Sequence, residues 1–266
     1  DTGLTLSFIP SKVFDNMALT NADPRYVARL KALPAALRDA WLNGSWDVFE
    51  GQVFSEFDPL VHIIEPTQIP DNWRKIIAID YGFNAPFCAL WLAQDPETHK
   101  VVCYRELYTT GQRDRLQAQA IIKSMTSRER RQISMCIADP SMWSRKGENE
   151  VSPADIYAKE GLPLVPAKNS RLHGKMRVHE FLAPDPEPLL QIFSPCANLL
   201  RTLPTLVYDD RRVEDVNTRT EDHAYDALRY GLMALSRRPL GSFAMRMTEG
   251  NLDPIREAEE LDAQRR

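Results

Sequence analysis

Apolar and polar positions alternate in two distinct regimes along the chain. From Lys75 to Asp80 the sequence K-I-I-A-I-D is a short apolar run closed by an acid, and Phe87–Ala93 and Val101–Tyr108 are runs of the same kind. Apolar runs of this length read as strands buried on both faces. The connections between them are short, with a turn at Asp95–His99, which predicts a three-stranded antiparallel meander. A helix over Gln112–Arg131 follows, with Leu116, Ala120, Ile121 and Met125 as its apolar face. Ile133–Ala138 is a fourth strand, stopped at Asp139-Pro140. The pattern then alternates. A helix opens at Ser152-Pro153 and closes near Gly161, a short strand lies at Leu164–Pro166, and Arg171–Leu182 is a helix. Leu189–Phe193 is a strand, Cys196–Leu203 a helix, and Glu221–Ser236 the last strong helix, with Leu228, Leu232 and Leu235 spaced to face a core.

The first part of the chain has a different texture. Leu4–Ile9 alternates as a short strand would, and Pro10 stops it. Asp23-Pro24 is a cap followed by proline at the first helical position. Leu30, Leu33, Leu37 and Trp41 follow at helical spacing, split by Pro34 and ended by Gly44. Ser45–Asp58 is aromatic-rich without a clean period. Pro59, Pro66 and Pro70 then predict a boundary between Asp58 and Arg74. The expected organisation is a small, mostly helical segment over 1–58, a linker over 59–74, an α/β domain over 75–236, and a tail over 237–266 with an acidic stretch at Asp253–Asp262.

Composition narrows the class. The 266 residues carry Lys+Arg 33 against Asp+Glu 37, a formal net charge of -4, with 43% hydrophobic and 26% charged residues. These values suit a globular domain and disfavour disordered or collagen-like chains. No apolar run is long enough to cross a bilayer as a helix. The 4 Cys form no C-x-x-C pair and sit beside apolar residues, which predicts reduced core thiols and no structural zinc.

The chemistry lies in the acids that end the elements. Asp80 and Asp139 each close a predicted strand, and Asp226 lies early in the last helix, with Asp222 and His223 before it at i−4 and i−3. That spacing puts the three side chains on one helical face. One reading is local, since an Asp after a strand commonly serves as a turn or cap residue. The other is a cluster of carboxylates whose mutual repulsion is relieved by hard divalent cations. A pair of such ions can stabilise both the attacking and the leaving oxygen of a phosphoryl transfer.

Five segments resemble one protein family. They are F-I-P-S-K-V-F-D-N at Phe8–Asn16, L-N-G-S-W-D-V-F-E-G-Q-V-F-S-E-F-D at Leu42–Asp58, I-A-I-D-Y-G at Ile77–Gly82, I-A-D-P-S at Ile137–Ser141 and D-H-A-Y-D-A-L-R-Y-G at Asp222–Gly231. Together they resemble the large terminase subunits of tailed bacteriophages. The resemblance implies a ribonuclease-H-like mixed sheet flanked by helices, with the end of a packaging ATPase domain over 1–58. It implies an endonuclease that cuts concatemeric viral DNA during genome packaging, with Asp80, Asp139 and Asp226 as metal-binding catalytic acids. Asp222 and His223 would be additional ligands, and the cofactor two Mg²⁺ or Mn²⁺ ions. The implied partners are double-stranded DNA, a portal protein and a small terminase subunit, without a membrane, and the implied location is the host cytoplasm at the procapsid portal. The chain departs from the family in having no G-x-x-x-x-G-K-[ST] phosphate loop, so ATP hydrolysis is not expected of it.

DNA contacts are expected where basic residues border the acids. Residues 111–146 hold eight Lys/Arg against three acids, and Arg145-Lys146 follows Asp139 closely. Lys168, Arg171 and Lys175 lie in a stretch without acids. Arg145, Lys146, Lys168, Arg171 and Lys175 are therefore the candidate phosphate contacts. Two rival readings stand beside the nuclease. One is another ribonuclease-H-like DNA enzyme, a resolvase or integrase, although 226-139 = 87 residues is a long gap for an integrase's last acid. The other is a non-catalytic docking module that binds a portal or small terminase subunit, motivated by the acidic tail and the aromatic Trp46–Phe57 stretch.

Overall fold

The apolar runs become strands because both of their faces are covered. A computed structural model describes residues 13–15, 17–22, 27, 30–31, 52–145, 151–183, 187–209, 215–217 and 219–235. The strands are β1 (Ile63–Ile64), β2 (Arg74–Asp80), β3 (Phe87–Gln94), β4 (Val101–Thr109), β5 (Ile133–Ala138), β6 (Val165–Pro166) and β7 (Leu190–Phe193). The helices are α1 (Met17–Ala22), α2 (Pro59–His62), α3 (Asp114–Lys123), α4 (Ser127–Gln132), α5 (Pro153–Lys159), α6 (Arg171–Leu182), α7 (Ala197–Thr202) and α8 (His223–Ala234). The strands form one mixed sheet in the order β1-β7-β4-β3-β2-β5-β6. β2, β3 and β4 are the antiparallel meander, while β5 runs parallel to β2 and β7 parallel to β4.

Side chains alternate across β2. Ile76 and Ala78 enter one core, with Phe181, Leu182, Leu228 and Leu232. Ile77 and Ile79 enter the other, with Ala118, Ile121 and Tyr157 from α3 and α5. Helices on both faces are why β2 and β3 are buried at nearly every position. α8 lies against β2, β3 and α6. Its approach depends on Gly231, where an added Cβ would sit 2.2 Å from Leu92 Cδ1 and 3.0 Å from Ala78 Cβ. The four cysteines are free and buried, as expected.

Two expectations need correction. The single helix expected over Gln112–Arg131 is two. Thr126 accepts a hydrogen bond from the Glu129 backbone N–H and caps α4, so the chain restarts there instead of continuing α3. The boundary expected between Asp58 and Arg74 is not a break in packing. Val53, Phe54 and Phe57 are buried in the α6–α8 core, the Val53 N–H donates to Leu206 O at 2.8 Å, and β1 extends the sheet by pairing with β7. The prolines are compatible with this, since Pro59 opens α2 behind the Asp58 cap, where no backbone donor is needed, and Pro66 and Pro70 follow β1. The compact unit ends at Leu235. The strand expected at Leu4–Ile9, Trp46, Phe49, Lys146 and the tail over 237–266 lie outside the described residues, as does nearly all of the helical stretch from Asp23 to Gly44.

Candidate active site

The topology itself gathers the acids. β2 and β5 are parallel neighbours, with Ile79 opposite Ala138, so their last residues emerge side by side. Asp139 N–H donates to Ile79 O at 3.0 Å. Asp80 continues the Ile76–Ala78 face and Asp139 the Ile137 face, which are both on the α8 side. α8 begins over the same edge. Its first residue, His223, places Nδ1 3.0 Å from Asp80 Oδ2, and Asp226 stands one turn further on. The local reading of Asp139 is also true, because its Oδ1 accepts from Ser141 N at 2.7 Å and caps a short 3-10 turn, Pro140–Trp143.

Burial makes this cluster electrostatically costly. Asp80 is 5% exposed. Burial, with the nearby Asp226 and Asp139 charges adding to it, outweighs the His223 hydrogen bond and pushes the Asp80 carboxyl up to about 7. Asp222 is raised to about 6, first by burial and then by Asp226. His223 is raised because it bonds Asp80 and faces Asp222 and Asp226. Each of these shifts favours a bound proton, the response of a site with more negative charge than it can solvate.

Two arginines answer part of that charge. Arg229 Nε donates to Asp226 Oδ1 at 2.6 Å, from a side chain that is 1% exposed. Its Nη2 donates to Asn169 Oδ1 at 3.0 Å and to Tyr230 OH at 3.2 Å. Arg171, the first residue of α6, lies 3.6 Å from Asp226 Oδ2 and 3.7 Å from Asp222 Oδ2. It also holds Asp215.

The structure therefore brings Asp80, Asp139, Asp222, His223 and Asp226 to one place. The expected phosphate contacts divide. Arg145 and Lys168 are exposed, and Lys168 follows Ala167, whose N–H donates to Ala138 O beside Asp139. Arg171 turns inward to the acids rather than outward. Lys175 corrects the expectation of a phosphate contact. It is 7% exposed with Nζ 4.9 Å from the Tyr208 ring centre, because α6 turns that position into the fold. Arg229 and Asp215 were not anticipated. Arg229 had a local signal, since it is three residues after Asp226 on the same helix and so in reach of it. Asp215 had none, because its partner Arg171 is 44 residues away in sequence.

The donor set fits a hard divalent cation: carboxylate oxygens from Asp80, Asp139 and Asp226, one of them buried and proton-seeking, while the neighbouring Cys88 thiol is buried and held protonated. In the side-chain arrangement present, no group of three or more His, Cys, Asp or Glu among the described residues closes around a single point.

No protein-family model and no curated protein matches the chain. Solved structures do. The nuclease domain of the P22 large terminase superposes with a TM-score of 0.58 at 19% identity, covering 70% of this chain and 93% of that one. The large terminase of a thermophilic bacteriophage gives a TM-score of 0.58 at 19% identity, covering 83% of this chain and 53% of that one. The chain thus spans about half the length of that second protein. At this identity the likeness establishes the fold. The chain has a mixed seven-stranded sheet flanked by helices, the ribonuclease-H-like fold of the terminase nuclease domains it superposes on.

Proposed function

We propose that this chain is the nuclease portion of a large terminase subunit, a divalent-cation-dependent endodeoxyribonuclease that cuts concatemeric viral DNA during packaging. The observation that carries the reading is the convergence of Asp80 and Asp139, at the ends of adjacent parallel strands, with Asp226 on the helix packed over them. Asp80, Asp139 and Asp226 would hold Mg²⁺ or Mn²⁺, with Asp222 and His223 as further donors. Two cations held there would supply Lewis-acid activation of water and would offset charge on the leaving oxygen.

The chain's own residues prepare that site. Arg229 fixes the direction of Asp226, and His223 orients Asp80 through Nδ1. Arg145 and Lys168 offer exposed positive charge for phosphates at the rim. Double-stranded DNA is the substrate, the portal protein and the small terminase subunit are the partners, and the host cytoplasm at the procapsid portal is the place of action.

The experiment is cleavage of supercoiled plasmid with Mg²⁺, with Mn²⁺ and with chelator, for the parent, Asp80→Ala and Asp139→Ala. The parent is expected to cut only with metal, and both variants to lose about 10²–10³-fold, the scale of removing one essential charge-stabilising group. Cutting by either variant at the parental rate would overturn the assignment.

A further inference from the structure

Arg171 and Arg229 both face Asp226, but they are built differently. Arg229 is enclosed and bonds Asp226 directly. Arg171 spends its directional bonds elsewhere. Its Nε lies 3.0 Å from both carboxylate oxygens of Asp215, and its Nη2 reaches Val216 O at 3.5 Å. Its contacts to Asp222 and Asp226, at 3.7 and 3.6 Å, are too long for hydrogen bonds and act through charge alone. The guanidinium is thus anchored from one side by Asp215 and presents its charge to two acids on the other. Its side chain is 27% exposed, so solvent reaches it. An arginine keeps its proton at any ordinary pH, so this charge is permanent.

We infer that Arg171 is a built-in counter-cation, which competes with a divalent ion for Asp222 and Asp226 and so limits how many ions the acidic cluster holds without DNA. The inference rests on the nuclease reading and adds to it. Asp80 and Asp139 have no arginine partner among the contacts described above, so a first ion on their side meets no guanidinium. Asp226 has one oxygen bonded to Arg229 and the other facing Arg171, and Asp222 has one oxygen facing Arg171. An ion on that side must work against a fixed positive charge. The arrangement also explains why a side chain in a basic stretch of sequence points into acids and not toward solvent.

The test counts ions rather than cuts. Parent, Arg171→Gln and Arg171→Lys are titrated with Mn²⁺ without DNA, and free Mn²⁺ is followed by the electron paramagnetic resonance of the aqua ion. The parent and Arg171→Lys are expected to take up one tight ion. Arg171→Gln is expected to take up a second, or to bind its weaker ion about tenfold more tightly, the scale of a unit charge acting on a divalent ion a few ångströms away in water. Equal or weaker binding by Arg171→Gln overturns the inference. So does a gain by Arg171→Lys as large as that by Arg171→Gln, because lysine keeps the charge. Those results leave the nuclease reading intact, whereas a parent that takes up no Mn²⁺ removes both.

Discussion

The two ends of β2 carry charge in opposite ways. At its start, Lys75, Arg105, Glu106, Arg128, Glu129 and Asp71 surround a cavity of about 540 Å³. Charges there have matched partners. Lys75 Nζ donates to Pro70 O and to Gln132 Oε1, each at 3.0 Å, and Arg105 pairs with Glu129 at 2.9 Å. Glu106 accepts from Leu199 N at 2.7 Å and from Asn198 N at 3.0 Å at the opening of α7, and Asp71 is bonded to Arg128 and Gln132. The Asp71 carboxyl is accordingly held below its ordinary value, first by Gln132 and then by Arg128. At the other end, roughly 20 Å along the strand, Asp80 and Asp222 are pushed the opposite way. At one end each charge is answered by a partner close by. The other carries more negative charge than the fold neutralises, which is the condition for recruiting a cation.

The sharpest way to test that contrast is to break the partner of Asp226. Arg229→Met leaves a carboxylate without its enclosed guanidinium and is expected to cost about 3–5 kcal/mol in urea unfolding. A smaller loss would mean that Asp226 is more solvated than its contacts indicate. Next in size is Asp80→Asn, where function and stability should move apart. The folded carboxyl titrates near 7 against an ordinary 3.8. The folded state therefore binds the proton more tightly than the unfolded chain, and parental stability falls as pH rises from about 4 to 7. With chelator at pH 8, Asp80→Asn should be more stable than the parent by on the order of 2 kcal/mol, a reduced value because His223 loses its charged partner. With metal, the same variant should not cut. A variant less stable than the parent at pH 8 would remove the picture of an overcharged end.

The smallest effect belongs to the opposite end. Arg128→Ala should leave both cutting and the urea midpoint at pH 7 unchanged, because the Asp71–Arg128 pair is exposed. Asp71 titrates below its ordinary 3.8, so whatever it contributes is present above about pH 4 and is lost as pH falls. A urea midpoint that moves at pH 7 would show that the cavity end is more than a set of matched pairs.

Much of this architecture was legible locally. β2, β3, β4 and β5 stand within two residues of their expected bounds, and α6 spans Arg171–Leu182 as its pattern predicts. These elements are buried on a face or on both, so periodicity reports them directly. The acid cluster was legible because each member ends or begins an element. What escaped was long-range. The pairing of β1 with β7, the seating of Phe54 against His179 and Tyr225, and the Asp215–Arg171 pair join residues far apart in the chain. A run of basic residues does not disclose which of them a helix will turn inward, so Lys175 and Arg171 read as equals of Lys168. The break between α3 and α4 does carry a local signal, since Thr126-x-x-Glu129 is the spacing of a helix start.

The aromatic residues ahead of the sheet have a practical bearing on how this protein is divided. Phe54 and Phe57, 0% and 2% exposed, cap the same core that seats α8. A shortened chain beginning at Pro70 would discard both rings, α2 and the β1 edge strand, and would leave Tyr225 facing water one residue from Asp226. Trimming should therefore stop before Gln52, whose bridge to Val207 is the first sheet-like contact of the continuous described stretch. A truncation chosen by the prolines would risk removing activity by loosening the helix that carries the last acid, with every acid still in place.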